Sequence, residues 1–318
     1  VSQPGVPGLA LLYRTSQANV GSSSQMLQGL SDLASKLDEV GKGDGEQDDG
    51  VILNQLNDLR DLISQAVTNG IDGYNSLIYA SADSLCTLFN KVAKDLEDLK
   101  STYETYLSQD VSKINTILTN IQQLNVSIRN ADIRGDDALE LRVQRNLLLD
   151  EQSGYMKIDV KYSMEDVGAG LEVEKLTVSL ATGGKNPLVD GEYAAQIGTD
   201  LEDPDYPINL YALRDLDGKK KNDGDWDPME LEDTALYGSL QSLRELLTEK
   251  GEFATDADVA ADPDAAIKRG IPYYQKALDS LAREFAKQMN ALNNVEGADI
   301  EGEGNLFSVS SNTNDTSD

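Results

Sequence analysis

The chain has 318 residues, 39% of them hydrophobic, with 27 Lys and Arg against 56 Asp and Glu and a formal net charge of -29. That length accommodates two or three domains with a sizeable core, and the charge repels nucleic-acid phosphates and anionic membrane surfaces, so neither nucleic acid nor membrane is expected as a partner. Histidine is absent and cysteine occurs once, which removes the commonest general base, the usual zinc ligand, every Ser/His or Cys/His nucleophile pair and any intrachain disulfide.

No run of about 18 apolar residues exists to span a bilayer, and Val1-Ser2-Gln3-Pro4-Gly5 has neither a basic region nor a signal-like apolar core. A start at Val rather than Met points to an excised fragment. Residues 9 to 40 carry Leu9, Leu12, Tyr13, Ala18, Met26, Leu27, Leu30, Leu33, Ala34 and Leu37 at near-helical spacing, interrupted by Gly21-Ser22-Ser23-Ser24, which reads as one or two helices. Residues 41 to 50 have no apolar side chain and form a solvated linker. Helical spacing returns at Ile52, Leu53, Leu56, Leu59, Leu62, Ile63 and Val67, and closes at Asn69-Gly70 in the manner of a C-cap.

The stretch from Leu85 to Ile128 organises the chain. Its apolar residues advance in steps of three and four through Leu85, Leu88 or Phe89, Val92, Leu96, Leu99, Tyr103, Tyr106 or Leu107, Val111, Ile114, Leu118, Ile121, Leu124 and Ile128. That pattern is a helix with one narrow apolar seam, beginning within Asp72 to Ala82 and ending near Asn130 to Arg134. A seam that long needs other long helices beside it, and the last helix, through Ile267, Ile271, Tyr274, Leu278, Leu281, Phe285, Met289 and Leu292, is a candidate with the helices before Gly70. Near Tyr106 to Val111 the phase slips and Asp110 falls on the seam, as at a stutter where packing partners change. Asp136 or Asp137 is placed to cap the next helix, Ala138 to about Gln152, which sets Leu139, Val143, Leu147 and Leu148 on one side.

From Met156 the period changes to two. Met156 to Tyr162 and Leu171 to Leu180 alternate as half-buried strands, a turn follows over Ala181 to Asn186, then the short apolar run Pro187-Leu188-Val189, and Tyr193 to Ile197 and Tyr206 to Leu213 are further candidate strands. A helix follows over Thr234 to Leu247, then an acidic loop over Thr255 to Pro263, the last helix, and a polar tail from Asn305 to Asp318. The expected fold is mainly α with a β-rich insertion: an elongated, coiled-coil-like bundle of long helices plus a small β domain. The expected divisions are 1-154 and 231-318 for the two parts of the bundle and 155-230 for the insertion.

The candidate chemistry is sparse. Cys86 lies beside the seam and reads as a small buried or half-buried apolar residue, since no base is at hand to activate it. Asp215, Asp217, Asp223, Asp225 and Asp227 suggest calcium, but their register is not that of an EF-hand and Lys219, Lys220 and Lys221 interrupt them, so a solvated hairpin tip is expected. The acidic 41 to 50 segment fails the same register, and neither Gly183-Gly184 nor Gly168-Ala169-Gly170 is followed by the Lys-Ser/Thr of a phosphate loop. Arg142 and Arg145, near Asp150 and Glu151, read as surface ion pairs. No catalytic, cofactor-binding or metal-binding residue is assigned, no cofactor is expected, and the chain is not expected to be an enzyme.

Three patches carry a resemblance. Ala82-Asp83-Ser84-Leu85 with Leu88-Phe89-Asn90, then Ile114-Asn115, Ile117, Ile121, Leu124-Asn125 and Ile128, is similar to an "A-x-x-L-x-x-x-F-N" start followed by an "I-N-x-I-x-x-L-N-x-x-I" run. Leu141 through Ser153 resembles an "LLDQRDxLLxELS" segment ahead of a strand. The third patch is Gly238-Ser239-Leu240-Gln241-Ser242-Leu243, then Tyr274, Leu278 through Ala286, Met289-Asn290 and Gly304-Asn305-Leu306-Phe307. In this order they resemble the flagellar hook-associated protein 1 family, over roughly two-thirds of the chain. Val143 and Asn146 stand where the family tends to carry Asp, Asn293-Asn294 where His is common, and the β insertion is short.

The resemblance implies a structural subunit of the bacterial flagellum at the junction between hook and filament. It also implies export through the flagellar type III pathway without a cleaved signal, an extracellular location, an export chaperone, and a ring packed between the hook protein and the next junction protein. The terminal segments that form the axial core are absent on this reading, which makes the fragment itself a monomer. Alternatives are another flagellar axial protein, such as the third hook-associated protein or a flagellin, and a secreted helical adhesin whose β insertion binds a ligand.

Overall fold

The computed structural model describes residues 7-37, 51-70, 73-168, 170-181, 187-201, 208-231, 236-293 and 306-307. The linker over 41 to 50, the turn from Thr182 to Asn186 and the tail beyond Phe307 fall outside them. Residues group into two compact units, one formed by Val1–Ser31 with Lys100–Ile271 and the other by Asp32–Leu99 with Pro272–Asp318.

Helix α3 (Asn75–Ile133) has 59 residues and contributes to both units. At about 1.5 Å per residue it is ~88 Å long. Its buried positions are those of the apolar seam: Leu85, Val92, Leu96, Leu99, Tyr103, Leu107, Val111, Ile114, Leu118, Ile121 and Ile128. Between Leu99 and Val111 the seam takes successive four-residue steps through Tyr103 and Leu107. That is the stutter seen in the spacing, and it leaves Tyr106 43% exposed. Asp110 lies on the flank of the seam and accepts a hydrogen bond from Ser239 Oγ at 3.0 Å.

In the second unit, α2 (Val51–Asn69) ends as predicted: Gly70 adopts φ 94 and its amide donates to the Ala66 carbonyl at 2.9 Å. The Gln55 side chain reaches Ser81 Oγ on α3 at 3.0 Å. Helix α7 (Ile271–Asn293) starts later than the spacing suggests, because Ile267 sits in the preceding turn and is 76% exposed. Near its end, the two ends of the Asn290 amide bond the Phe307 carbonyl (2.7 Å) and amide (2.9 Å), while the Phe307 ring stands edge-on to Phe285. The Met289-Asn290 and Leu306-Phe307 patches are thus the two halves of one clasp.

Helix α1 (Pro7–Leu37), which belongs to the first unit as far as Ser31, runs unbroken through Gly21-Ser22-Ser23-Ser24. Those small residues are a contact surface rather than a helix break. A Cβ on Gly21 would lie 2.2 Å from the Gly154 carbonyl oxygen at the end of α4 (Leu139–Tyr155), and one on Gly29 would lie 2.4 Å from Leu246 of α5 (Gly238–Thr248). Ser22 and Ser242 hydroxyls meet at 2.7 Å, and Arg14 pairs with Asp150 at 2.9 Å. Small side chains let two helices approach closely enough for such backbone contacts. Gly238, at φ 69, abuts Tyr155: a Cβ there would be 2.4 Å from its carbonyl carbon. Helices α4 and α5 therefore follow one another along α1, and the Lys157 amide donates to the Leu236 carbonyl at 2.9 Å where the chain leaves and returns.

Between those two points lie two antiparallel sheets. β1 (Ile158–Asp166), β2 (Glu172–Leu180), β3 (Val189–Asp190) and β4 (Tyr193–Ala194) form one in that order, with Ile158 opposite Leu180 and Asp166 opposite Glu172. β5 (Ile197–Thr199), β6 (Ile208–Leu210) and β7 (Met229–Glu230) form the other. The apolar run from Tyr193 to Ile197 is therefore two strands in different sheets. The acidic stretch over Thr255 to Pro263 also contains structure that charge alone did not reveal. Thr255 and Asp258 form a reciprocal capping box on the short helix α6 (Asp256–Ala261), Thr255 Oγ1 accepting from the Asp258 amide and Asp258 from the Thr255 amide.

Candidate functional site

The sheets are held to α3 by side-chain amides. Asn115 grips Ile197 on both sides, donating to its carbonyl and accepting from its amide at 2.7 Å each. Gln122 donates to the Glu192 and Arg214 carbonyls at 2.8 Å, and Asn125 to the Gly191 carbonyl at 2.7 Å. These residues recur at helical spacing beside the apolar seam, so one face of α3 satisfies the backbone of the chain that crosses it. Buried backbone polar groups need such partners. Asn115 and Asn125 are two of the three asparagines of the first resemblance patch, which ties the later part of that pattern to a physical task.

A second anchor reverses a sequence expectation. Arg142 and Arg145 do not pair on the surface with Asp150 and Glu151. Arg145 is 2% exposed, donates to Asn125 Oδ1 at 2.9 Å and to Glu174 of β2 at 2.5 Å, and lies 5.5 Å from the Tyr162 ring centroid. Arg142 bonds Asp132 at 2.7 Å and the same Glu174 at 2.5 Å. The buried face of α4 is thus Arg145, Leu149, Gln152 and Ser153. The expected apolar face is turned out instead, with Leu139 54%, Val143 55% and Leu147 63% exposed. Neither Asp136 nor Asp137 is the N-cap residue. Ala138, in the left-handed region at φ 47, takes that place, and Asp136 accepts a hydrogen bond from its amide at 3.1 Å.

The Asp215 to Asp227 stretch is a structured loop closed on one half-buried carboxylate. Asp227 pairs with Arg214 and, at 3.1 Å, with Lys220. Burial pushes its carboxyl up, but the Lys220 hydrogen bond, the Ala212 amide and the charges of Lys220 and Arg214 outweigh that and hold it below the usual range. Lys221 pairs with Asp190, which also takes Lys175 at 2.7 Å. Asp215 accepts from the Asp217 and Lys219 amides at 3.0 and 2.9 Å and shapes the turn. Of the lysines that interrupt the acidic run, Lys220 is thus a counter-ion within it, while Lys221 ties the loop to β3. Among the described residues no group of three His, Cys, Asp or Glu is placed to hold a metal ion.

Cys86 is exposed rather than buried, and partial desolvation together with the nearby Asp83 charge pushes its thiol up. A thiol raised in this way is a poor nucleophile at neutral pH. No described helix is long and apolar enough to cross a membrane. The described residues also present two exposed apolar stripes. On α1, Leu12, Val20, Leu27 and Leu30 are 41 to 71% exposed and cluster on one side of the helix, and Leu139, Val143 and Leu147 form a comparable stripe on α4. Contiguous apolar surface of this kind marks sites of protein contact.

The family model described as "Flagellar hook-associated protein FlgK helical domain" matches residues 45–307. Flagellar hook-associated protein 1 of Bacillus subtilis (strain 168) is 23% identical over 284 residues, a stretch covering 87% of this chain and 50% of that protein. The solved structure of the flagellar hook junction protein FlgK from Burkholderia pseudomallei superposes with a TM-score of 0.59 at 21% identity, over 88% of this chain and 43% of that one. The chain therefore spans about half the length of the curated relative, and the structural likeness establishes the fold.

Proposed function

Because this chain belongs to the flagellar hook-associated protein FlgK helical-domain family, we propose that it is a structural subunit of the bacterial flagellum at the junction between hook and filament. The observation that carries this reading is the extent of the family match, from residue 45 to residue 307, through both units and all three motif patches. Packing gives those patches a structural role: the Asn115 and Asn125 side chains hold the sheets, the Gly238 to Leu243 segment seats α5 against α1 and the end of α4, and Asn290 clasps Phe307.

On this reading the protein performs no catalysis, and its partners are the hook protein, the next junction protein and neighbouring copies in a ring, with an export chaperone before assembly. It reaches the cell exterior by the flagellar export route. The same reading divides the chain into a helical body, 1-154 and 231-318, interrupted by a β-rich insertion over 155-230. The hydrogen bond between Lys157 and Leu236 across the base of that insertion supports the division.

The test is genetic and structural together. The full-length protein carrying this region should restore filament attachment and swimming to cells deleted for the corresponding gene, and antibody labelling should mark a narrow band at the distal end of the hook. Normal filaments on the deleted cells, or label spread along the filament, would reject the junction role.

A further inference from the structure

The one tryptophan of the chain, Trp226, is 78% exposed although the loop that carries it is tightly held. The Ala212 amide donates to Asp227 at 3.3 Å, Arg214 and Lys220 pair with that same carboxylate, and the Lys221 amide donates to the Leu213 carbonyl at 2.9 Å. Asn222 donates to Asp225 at 3.2 Å beside the indole. A large aromatic displayed to solvent on an ordered loop loses little further entropy when a ligand covers it.

Trp226 borders a cavity of about 130 Å³. One part of its lining is apolar, from Pro187, Leu210 and Leu213; the other is polar, from Tyr211, Asn222 and Asp225, with the Asp190–Lys221 ion pair alongside. The Tyr211 ring is 39% exposed and rests on Gly198, where a Cβ would come within 2.9 Å of it, so its position is set by the second sheet. An anion entering this cavity meets the carboxylates of Asp190 and Asp225, and the Lys221 ammonium is already taken by Asp190. A neutral ligand with one C–H face and one hydroxyl-bearing edge satisfies both halves of the lining. That is the chemistry of a pyranose ring, with its C–H face on the indole and its hydroxyls toward Asn222 and Asp225.

We propose that the Trp226 cavity is a saccharide-binding site. A single tryptophan makes the intrinsic fluorescence a reporter of this one place. Titration of the intact chain with methyl glycosides of glucose, galactose, mannose and N-acetylglucosamine is expected to give a saturable change in emission for at least one sugar. Asn222→Ala and Asp225→Ala, with unchanged circular dichroism, are expected to weaken that response at least tenfold. Fragments of bacterial wall glycan and animal mucin glycans, titrated in parallel, separate a bacterial from a host source. No saturable response to any saccharide overturns the proposal even if the variants do not fold. A saturable response to N-acetylargininamide alone also overturns it and assigns the indole to cation recognition.

Discussion

Helices α3 and α4 both carry a regular apolar stripe, yet α3 buries its stripe and α4 turns its own to solvent. Along α3, Leu107, Ile114, Leu118 and Ile121 are fully buried; along α4, Leu139, Val143 and Leu147 are more than half exposed while Arg145 is 2% exposed. Spacing locates an amphipathic face but does not determine which face a third element covers. For α4 that element is β2, which brings Glu174 to Arg145 and Arg142, and α3, which brings Asn125. A guanidinium with partners at both ends of its fork is tolerated in an interior that an unpaired charge could not enter.

The largest effect expected from breaking this contrast is at Arg145. Arg145→Ala takes the donor from Asn125 and one of two guanidinium partners from Glu174, Arg142 remaining, and with the lost hydrogen bonds should destabilise the first unit by about 3 to 5 kcal/mol, read as a shift in the urea midpoint followed by circular dichroism. Arg145→Lys should recover only part of the loss, because one ammonium cannot reproduce the forked contacts to Asn125 and Glu174. A loss no larger than that of an exposed arginine would show that the buried geometry contributes little.

Much of this was legible from the chain alone. The α3 seam, its stutter near Tyr106 to Val111, the Gly70 stop and the change of period at Met156 all follow from side-chain spacing, which is local information. The α4 face was not legible in the same way, because its helix also offers a second seam through Leu141, Arg145, Leu149 and Gln152, and only the distant Glu174 selects it. Gly21 to Ser24 leaves one helix or two open locally, whereas the packed fold runs one helix through and uses those small residues to bring α1 against Gly154 and Ser242. Asn115, Gln122 and Asn125 were visible as motif or seam-edge residues, but their work is done on backbone groups of Ile197, Glu192, Arg214 and Gly191, far away in sequence.

The same substitution placed on each helix sharpens the comparison. Leu118→Ala in the α3 seam should cost about 3 kcal/mol through lost burial and the cavity left behind. Leu147→Ala on α4, 63% exposed, should stay within about 0.5 kcal/mol. Parallel urea titrations of the two variants decide this, and equal losses would mean that the α4 stripe is covered in solution.

The smallest expected effect concerns Asp110, where the α3 stutter meets the start of α5. Desolvation raises its carboxyl above the ordinary value, against the hydrogen bond from Ser239 and the charge of Lys113 at 3.8 Å. A raised folded-state value means that the folded chain holds the proton more tightly than the unfolded chain. Stability from this group is therefore present at low pH and is lost as pH rises from the unfolded value through the folded one. Asp110→Asn keeps an acceptor for Ser239 and abolishes the ionisation. It should slightly stabilise the chain at pH 7, and that gain should shrink as the pH falls toward the carboxylate range, where the wild-type aspartate is itself neutral. Paired urea midpoints at pH 7 and pH 4 measure the trend. A variant less stable than wild type at pH 7 would show that the Asp110 charge, through Ser239 and Lys113, holds the stutter together rather than straining it.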